Sequence, residues 1–283
     1  MSNKEIVIVS DVHGEYDALT NLVGPDDTLF IAGDLLVFMD FTDFSRGILA
    51  KAFTIDELIE GLKEMSQGNL DRVNEAFMQI TTPGEERYEK ILPLIESEYE
   101  KLFSMLPCET YILYGNDDYP DILKEKLSKN AKLIEAGVVK THGIEIAMVS
   151  GMPGAKHTPQ FPGIVPMETY DEMFTGLDPA DVIITHVPPK EDDDGENSTD
   201  GGPDQVKLTY DTIAKRNEPS SVAITQYIKK HNPVYSFFGH VHNPNVTNAK
   251  IAGTQAVNIG FFKERKAALR LNTETMKFER VSV

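Results

Sequence analysis

The sequence predicts one α/β domain that carries a helical insertion. Three observations support this: five short, nearly uninterrupted apolar runs that each end in a polar cluster, a central block with apolar residues at helical spacing, and late segments that alternate apolar with polar residues. Runs that are apolar at almost every position suit strands buried on both faces, as in sheets covered by helices. At 283 residues the chain exceeds the usual single-domain size but suits one large core with an embellishment. Hydrophobic residues make up 41% and charged residues 25%, which leaves ample material for a core.

Taken in order, EIVIVS ends at Asp11 and DTLFIA ends at Gly33 and Asp34. From about 42 to 107 the texture changes to IDELIEGLKEM, LDRVNEAFMQI and YEKILPLIESEYEKLFSML. Apolar residues there return every three or four positions with charges between them, so this block reads as an inserted helical subdomain beside the sheets. Inside it, TTPGEE reads as a turn and a proline-initiated helix start, and Pro93 is expected to kink or cap the last helix. TYILY then ends at Gly115, and DILKEKLSKN reads as a short helix. The segment KLIEAGVVKTHGIEIAMVSGM alternates like hairpin strands of a second sheet, and TQAVNIGFF and KAALRLNTETMKFERVSV read the same way. DVIIT ends at His186 and VYSFF at Gly239. Between them lies EDDDGENSTDGGPD, residues 191–204, which reads as a solvated mobile loop. Polar residues at the carboxyl ends of such strands collect along one sheet edge, where open α/β sheets bind ligands.

Charge narrows the partners. Forty-five acidic against twenty-seven basic side chains give a formal charge of -18, a field that repels nucleic-acid phosphates and anionic lipid headgroups. A small phosphorylated substrate remains compatible, because bound cations can reverse the local sign. Cys108 is the only cysteine, which excludes an intrachain disulfide and a thiolate cluster and fits a reducing compartment. The first apolar run is too brief for a signal sequence or a membrane span, so a cytoplasmic protein is expected.

Each polar cluster has a bland reading of its own. Asp11 and His13 suit a helix cap beside a surface histidine, Gly33-Asp34 and Gly115-Asn116-Asp117-Asp118 suit turns, and His186 suits a core histidine. Together, however, Asp11, His13, Asp34, Asn116, His186, His240 and His242 all follow apolar runs at the same expected sheet edge. Imidazole with carboxylate and amide oxygen, and no sulfur, suits borderline to hard divalent ions. The set is too large for one ion and sufficient for two, the arrangement that clamps a phosphate for in-line displacement.

The order D-V-H, G-D, G-N-D-D, T-H, G-H-V-H, from Asp11 to His242, resembles the signature of the calcineurin-like metallophosphoesterase superfamily, D-x-H, G-D, G-N-H-D/E, H, G-H-x-H. The resemblance implies an α/β/β/α sandwich in four layers, with two mixed sheets and a dinuclear site at the strand ends. It implies that Asp11, His13 and His242 hold one ion, that Asp34 bridges, and that Asn116, His186 and His240 hold the other. Two divalent metal ions are implied, Mn²⁺ first and Fe²⁺, Zn²⁺, Ni²⁺ or Mg²⁺ as alternatives, with hydrolysis of a phosphodiester or small phosphomonoester by a hydroxide bridging them. T-H-V-P-P and the segment leading to GHVH also resemble a smaller archaeal and bacterial group of compact phosphodiesterases or phosphatases.

Asp117 departs from the signature, whose histidine at that place commonly protonates the leaving group or binds phosphate. Nearby cations favour an ionised carboxylate, with a reference pKa of about 3.9, so Asp117 is expected to be a poor acid and to favour singly charged diesters. His157, in GMPGAKHTP, and His142 are the candidate substitutes as proton donor, each weighed against a surface or structural role. Two other readings stand beside the enzyme: an interaction scaffold, as in a retromer subunit of this fold, and a nuclease. The intact ligand set weighs against the first and the negative charge against the second. Homo-oligomerisation through the helical insertion is left open.

Overall fold

The apolar runs do form strands, and each strand is buried on both faces because its two sets of side chains enter different cores. The computed structural model describes residues 4–40, 42–154, 160–190, 219–242 and 247–283. The chain opens with β1 (Glu5–Val9), α1 (Tyr16–Leu22) and β2 (Thr28–Ala32). Four helices follow, α2 (Leu49–Ala52), α3 (Ile55–Ser66), α4 (Leu70–Thr81) and α5 (Glu86–Met105), before β3 (Glu109–Leu113). Next come α6 (Pro120–Lys126), β4 (Ala131–Leu133), β5 (Ala136–Thr141), β6 (Ile144–Val149), β7 (Met152–Gly154), β8 (Ile164–Pro166), α7 (Met167–Glu172) and β9 (Val182–Thr185). The last stretch holds α8 (Val222–His231), β10 (Tyr235–Phe238), β11 (Asn248–Ile251), β12 (Thr254–Asn258), α9 (Phe262–Arg265), β13 (Ala267–Asn272) and β14 (Lys277–Ser282).

Two mixed six-stranded sheets result, β14-β13-β1-β2-β3-β4 and β11-β12-β10-β9-β6-β5. In each, parallel strands occupy the centre and antiparallel pairing is confined to the margins. Ile6, Ile8, Phe30 and Leu113 of the first sheet share one buried cluster with Ile146, Met148, Ile184 and Phe237 of the second. The alternate residues Val7, Val9, Ile31 and Ile112 turn the other way, into a cluster with Leu19 of α1 and Ile95, Tyr99 and Leu102 of α5. Ile183 and Phe238 belong to that outer cluster with Ile224 and Ile228 of α8. Period-two alternation between two apolar cores thus makes the α/β/β/α sandwich and explains why the central strands have few polar positions.

Five sequence expectations need correction or placement. The five runs divide between two sheets, β1, β2 and β3 in one and β9 and β10 in the other, so the common edge is made by two sheets ending together. The hairpin β13–β14 and the strand β4, expected in the second sheet, extend the first on opposite sides. Edge membership depends on long-range pairing that local alternation does not encode. Pro93 does not cap a helix; it lies inside α5, which continues through it because Ile91, Ile95, Tyr99 and Leu102 are fully buried along one face. α5 starts at Glu86 with Glu85 as its cap residue, and Pro83 stays in the preceding turn. Residues 191–204 lie outside the described residues.

Local chemistry sets the helix ends. Thr54 caps α3 in a reciprocal capping box, accepting from Glu57 N while Glu57 Oε2 accepts from Thr54 N at 2.7 Å. α8 ends at Asn232 with φ 50°, followed by Pro233, a left-handed cap and a stop. Among the described residues no helix is long and apolar enough to cross a membrane.

α5 also reaches the polar end of the sheets. Its Tyr99 hydroxyl donates to Asp118 Oδ1 at 3.3 Å and accepts from Tyr119 N at 2.9 Å, all buried. Tyr99→Phe removes the bond and strands a buried N–H, which should cost about 1–3 kcal/mol. Urea denaturation should show that loss as a lowered midpoint at unchanged slope; an unaltered midpoint would show that the hydroxyl holds nothing together.

Candidate metal centre

The segments after β1, β2, β3, β9 and β10 meet where the two sheets end. Backbone bonds seam them: Asp11 N to Gly33 O at 3.1 Å, His13 N to Asp34 O at 3.0 Å, Gly239 N to His186 O at 2.9 Å. Two groups of side chains converge there, Asp11, His13, Asp34 and His242 in one and Asp34, His186 and His240 in the other, each with ligand atoms within 4.8 Å of one another. Asp34 belongs to both. Asn116 joins the second group, its Oδ1 3.1 Å from His186 Nε2.

The backbone is bent to achieve this. Asp11, His13, Asp34 and His240 all have positive φ, at 55°, 41°, 54° and 63°, a conformation costly for residues with a Cβ and concentrated at functional sites. Two glycines make room. A Cβ on Gly239 would lie 1.7 Å from Ser10 Oγ and 2.4 Å from Asp11 Oδ2, and one on Gly115 would lie 2.2 Å from Asp34 Oδ1.

The hydrogen bonds show that the residues fit a cation. His13 Nδ1 lies 2.9 Å from Leu36 O and His186 Nδ1 2.8 Å from Ala32 O, so each donates there and keeps its Nε2 lone pair for the site. Those lone pairs face acceptors: His13 Nε2 is 3.7 Å and His186 Nε2 3.4 Å from Asp34 Oδ2. Asn116 donates Nδ2–H to Asp117 Oδ1 at 2.6 Å, which turns its own Oδ1 toward His186 Nε2. His13 Nε2 is buried without a hydrogen-bond partner. Acceptors facing acceptors in a buried place are unfavourable unless a positive charge sits between them.

Electrostatics agree. Burial pushes His13 down to about 4, against the raising influence of Asp11, and burial with the charge of His186 takes His240 down to about 3, so both stay neutral as ligands require. Burial, then the charges of Asp11 and Asp118, holds Asp34 well above the usual carboxylate range. Burial would raise Asp11 too, but the hydrogen bond and charge of His242, with His186 and His13, outweigh it and keep Asp11 below that range.

The family model for calcineurin-like phosphoesterases matches residues 4–244. The chain belongs to that family. No curated protein matches it. Among solved structures, one crystal structure is 18% identical and superposes with a TM-score of 0.62 over 99% of this chain and 98% of that one, which shows the shared fold. A novel archaeal phosphodiesterase is 12% identical, with a TM-score of 0.38 over 99% of each chain. A hypothetical protein from Pyrococcus horikoshii is 10% identical, with a TM-score of 0.35 over 99% of this chain and 87% of that one. The phosphoesterase family binds divalent metals, and this member has Asp and His groups able to hold them.

The other residues singled out in this phosphoesterase fall unevenly. Asp117 is at the site, its Oδ2 3.9 Å from His13 Nδ1 and its N–H donated to Asp34 Oδ1 at 2.9 Å. Burial, then the charges of Asp34 and Asp118, raises its pKa where no cation is bound; the ionised state expected from the sequence is that of the cation-bound site. His142 is a correction. It lies in the β5–β6 turn and meets Thr28 Oγ1 at 2.9 Å, where β2 begins, one strand length, about 16 Å, from the edge that carries Asp34. It has no place in the chemistry. His157 lies outside the described residues.

Two residues escaped the sequence reading. Asp118 is fully buried and accepts from Leu35 N, Gly115 N and Tyr99, pinning the loops after β2 and β3 together; its place in G-N-D-D was the available signal. Phe261 stacks on the His242 ring at 3.8 Å with 3° between planes and meets His13 edge-on at 5.6 Å. No local pattern announces that role.

A cation competes with protons for Asp34 and Asp117, whose hold on them is raised by burial and neighbouring charge, whereas protons on His13 and His240, lowered to about 4 and about 3, compete with it less. The sign follows: a carboxyl raised on folding contributes stability below its ordinary value and loses it as pH rises, and a cation restores what is lost. The rise in melting temperature on adding Mn²⁺ should therefore grow from about pH 5 to about pH 8. An increment that is flat or shrinks over that range would contradict the buried-carboxylate picture.

Proposed function

We propose that the chain is a two-metal phosphoesterase that favours small phosphodiesters over phosphomonoesters. One observation carries the reading: two ligand groups share Asp34, whose Oδ2 faces a histidine of each. Bound divalent cations, Mn²⁺ first among them, supply Lewis acidity and the positive charge that draws a phosphate into an otherwise acidic protein. Asp11, His13 and His242 would hold one and Asn116, His186 and His240 the other, with Asp34 available to both. The carbonyls of Leu36 and Ala32 fix the tautomers of His13 and His186 through their Nδ1–H groups. The backbone N–H of His240 donates to both oxygens of Asp11, at 3.2 and 3.1 Å, and orients that carboxylate.

Asp117 sets the preference among esters. With divalent cations bound beside it Asp117 would be ionised, so it would offer a doubly charged monoester repulsion where the histidine of the family signature offers a hydrogen bond. A singly charged diester suffers less, provided its leaving group departs without a strong acid.

Two measurements test this. The protein should bind divalent metal, hydrolyse bis(p-nitrophenyl) phosphate, lose activity to a chelator and regain it with Mn²⁺, and Asp34→Asn should cost more than about a hundred-fold in kcat. Metal bound without turnover would leave a scaffold, and no metal would remove the enzyme altogether. Secondly, bis(p-nitrophenyl) phosphate should turn over faster than p-nitrophenyl phosphate, with Asp117→His shifting the ratio toward the monoester. A wild-type ratio at or below unity that the substitution leaves unmoved would take Asp117 out of the mechanism.

A further inference from the structure

His13 has a second neighbourhood besides the ligand cluster. It also lines a cavity of about 410 Å³ between the turns after β1 and β2, α5 and the start of α9, within the range of small-molecule sites. In a chain of net charge -18 this cavity is lined by four cations, Arg46, Lys51, Lys101 and Lys263, against three acids, Glu15, Asp40 and Glu98.

Two of the acids are already engaged: Asp40 pairs with Lys263 at 3.1 Å and accepts from Thr42, and Glu15 pairs with Lys266 at 2.6 Å. Glu98 lies near the Tyr16 hydroxyl, which donates to Leu35 O at 3.2 Å. Among the described residues Arg46 is tied only to Asp43 at 3.2 Å, both well exposed, a surface pair worth little and free to exchange. Lys51 and Lys101 are exposed. Lys101 lies 5.5 Å from the centre of the Tyr16 ring, and among the described residues neither ammonium has a carboxylate partner. The cavity wall therefore keeps cations left over after internal pairing, and it begins at a candidate metal ligand.

We propose that this cavity receives a second anionic group of the substrate, a phosphate or carboxylate joined by a short linker to the phosphate on the metals. The proposal rests on the phosphoesterase reading and adds a substrate class to it: small phosphoesters with two separated anionic groups. Lys51 and Lys101 are the specificity-determining residues, and Arg46 can join them. Three of these cations, Arg46, Lys51 and Lys101, come from the segment between β2 and β3. That segment thereby selects the substrate's far end, while the strand ends hold the reacting phosphate.

Calorimetry on the Mn²⁺-loaded protein tests it, using alkane bisphosphonates from ethane to hexane against the matching alkyl phosphonates. At least one bisphosphonate should bind about ten-fold tighter than its monophosphonate, the order of one charge-assisted contact. The variant Lys51→Met/Lys101→Met should lose that preference and keep the affinity for the alkyl phosphonate, which also shows that it folds and holds metal. Equal affinities throughout the wild-type series, or a preference that survives in the variant, would overturn the proposal. Binding is read without turnover, so a failure to hydrolyse bis(p-nitrophenyl) phosphate would count against the phosphoesterase reading alone.

Discussion

The shared carboxylate of Asp34 is the interaction on which the rest of the molecule depends. Its Oδ1 accepts the Asp117 N–H and its Oδ2 faces imidazole nitrogens from both sheets. Asp11, Asp117 and Asp118 crowd the same buried place. Without positive charge, such a cluster is tolerated only by taking up protons, which is what the raised carboxyls of Asp34 and Asp117 express. A divalent cation replaces those protons and turns a cost into a binding site. Arginine or lysine would not serve, because neither can be bound by several lone pairs converging on one point.

The fold is arranged to make that crowding geometrically available. Two sheets share one apolar interlayer and end together, so candidate ligands that follow β1, β2 and β3 meet those that follow β9 and β10 across the sandwich. The left-handed backbone at four candidate ligands is held by bonds such as His13 N to Asp34 O and Lys263 N to Asp11 O, at 3.0 and 3.1 Å. Tyr99 and Asp118 pass the constraint outward to α5. The same helix helps line the cavity beside His13, so the helical layer supports the centre on one side and borders the proposed anion site on the other.

What was legible in the sequence follows from how local each signal is. The apolar runs were visible because nearly every position of a doubly buried strand is apolar, and the candidate ligands because metal chemistry restricts residue types at strand ends. The assignment of strands to sheets was not visible, since β4 and β13–β14 join the first sheet through pairings distant in sequence. His142 misled for a related reason: a histidine's type does not say which end of a strand it flanks, and His142 sits in the β5–β6 turn beside the start of β2. Phe261 went unread because its partner rings, His13 and His242, come from other segments. Lys51 and Lys101 lie among the charges of the helical block, and nothing local marks the cavity that they line.

The most direct measurement is anomalous diffraction from crystals of the Mn²⁺-loaded protein. The account predicts two peaks about 3.5–4 Å apart, both within bonding distance of Asp34, one among Asp11, His13 and His242 and the other among Asn116, His186 and His240. A single peak, or two peaks that do not share Asp34, would contradict it.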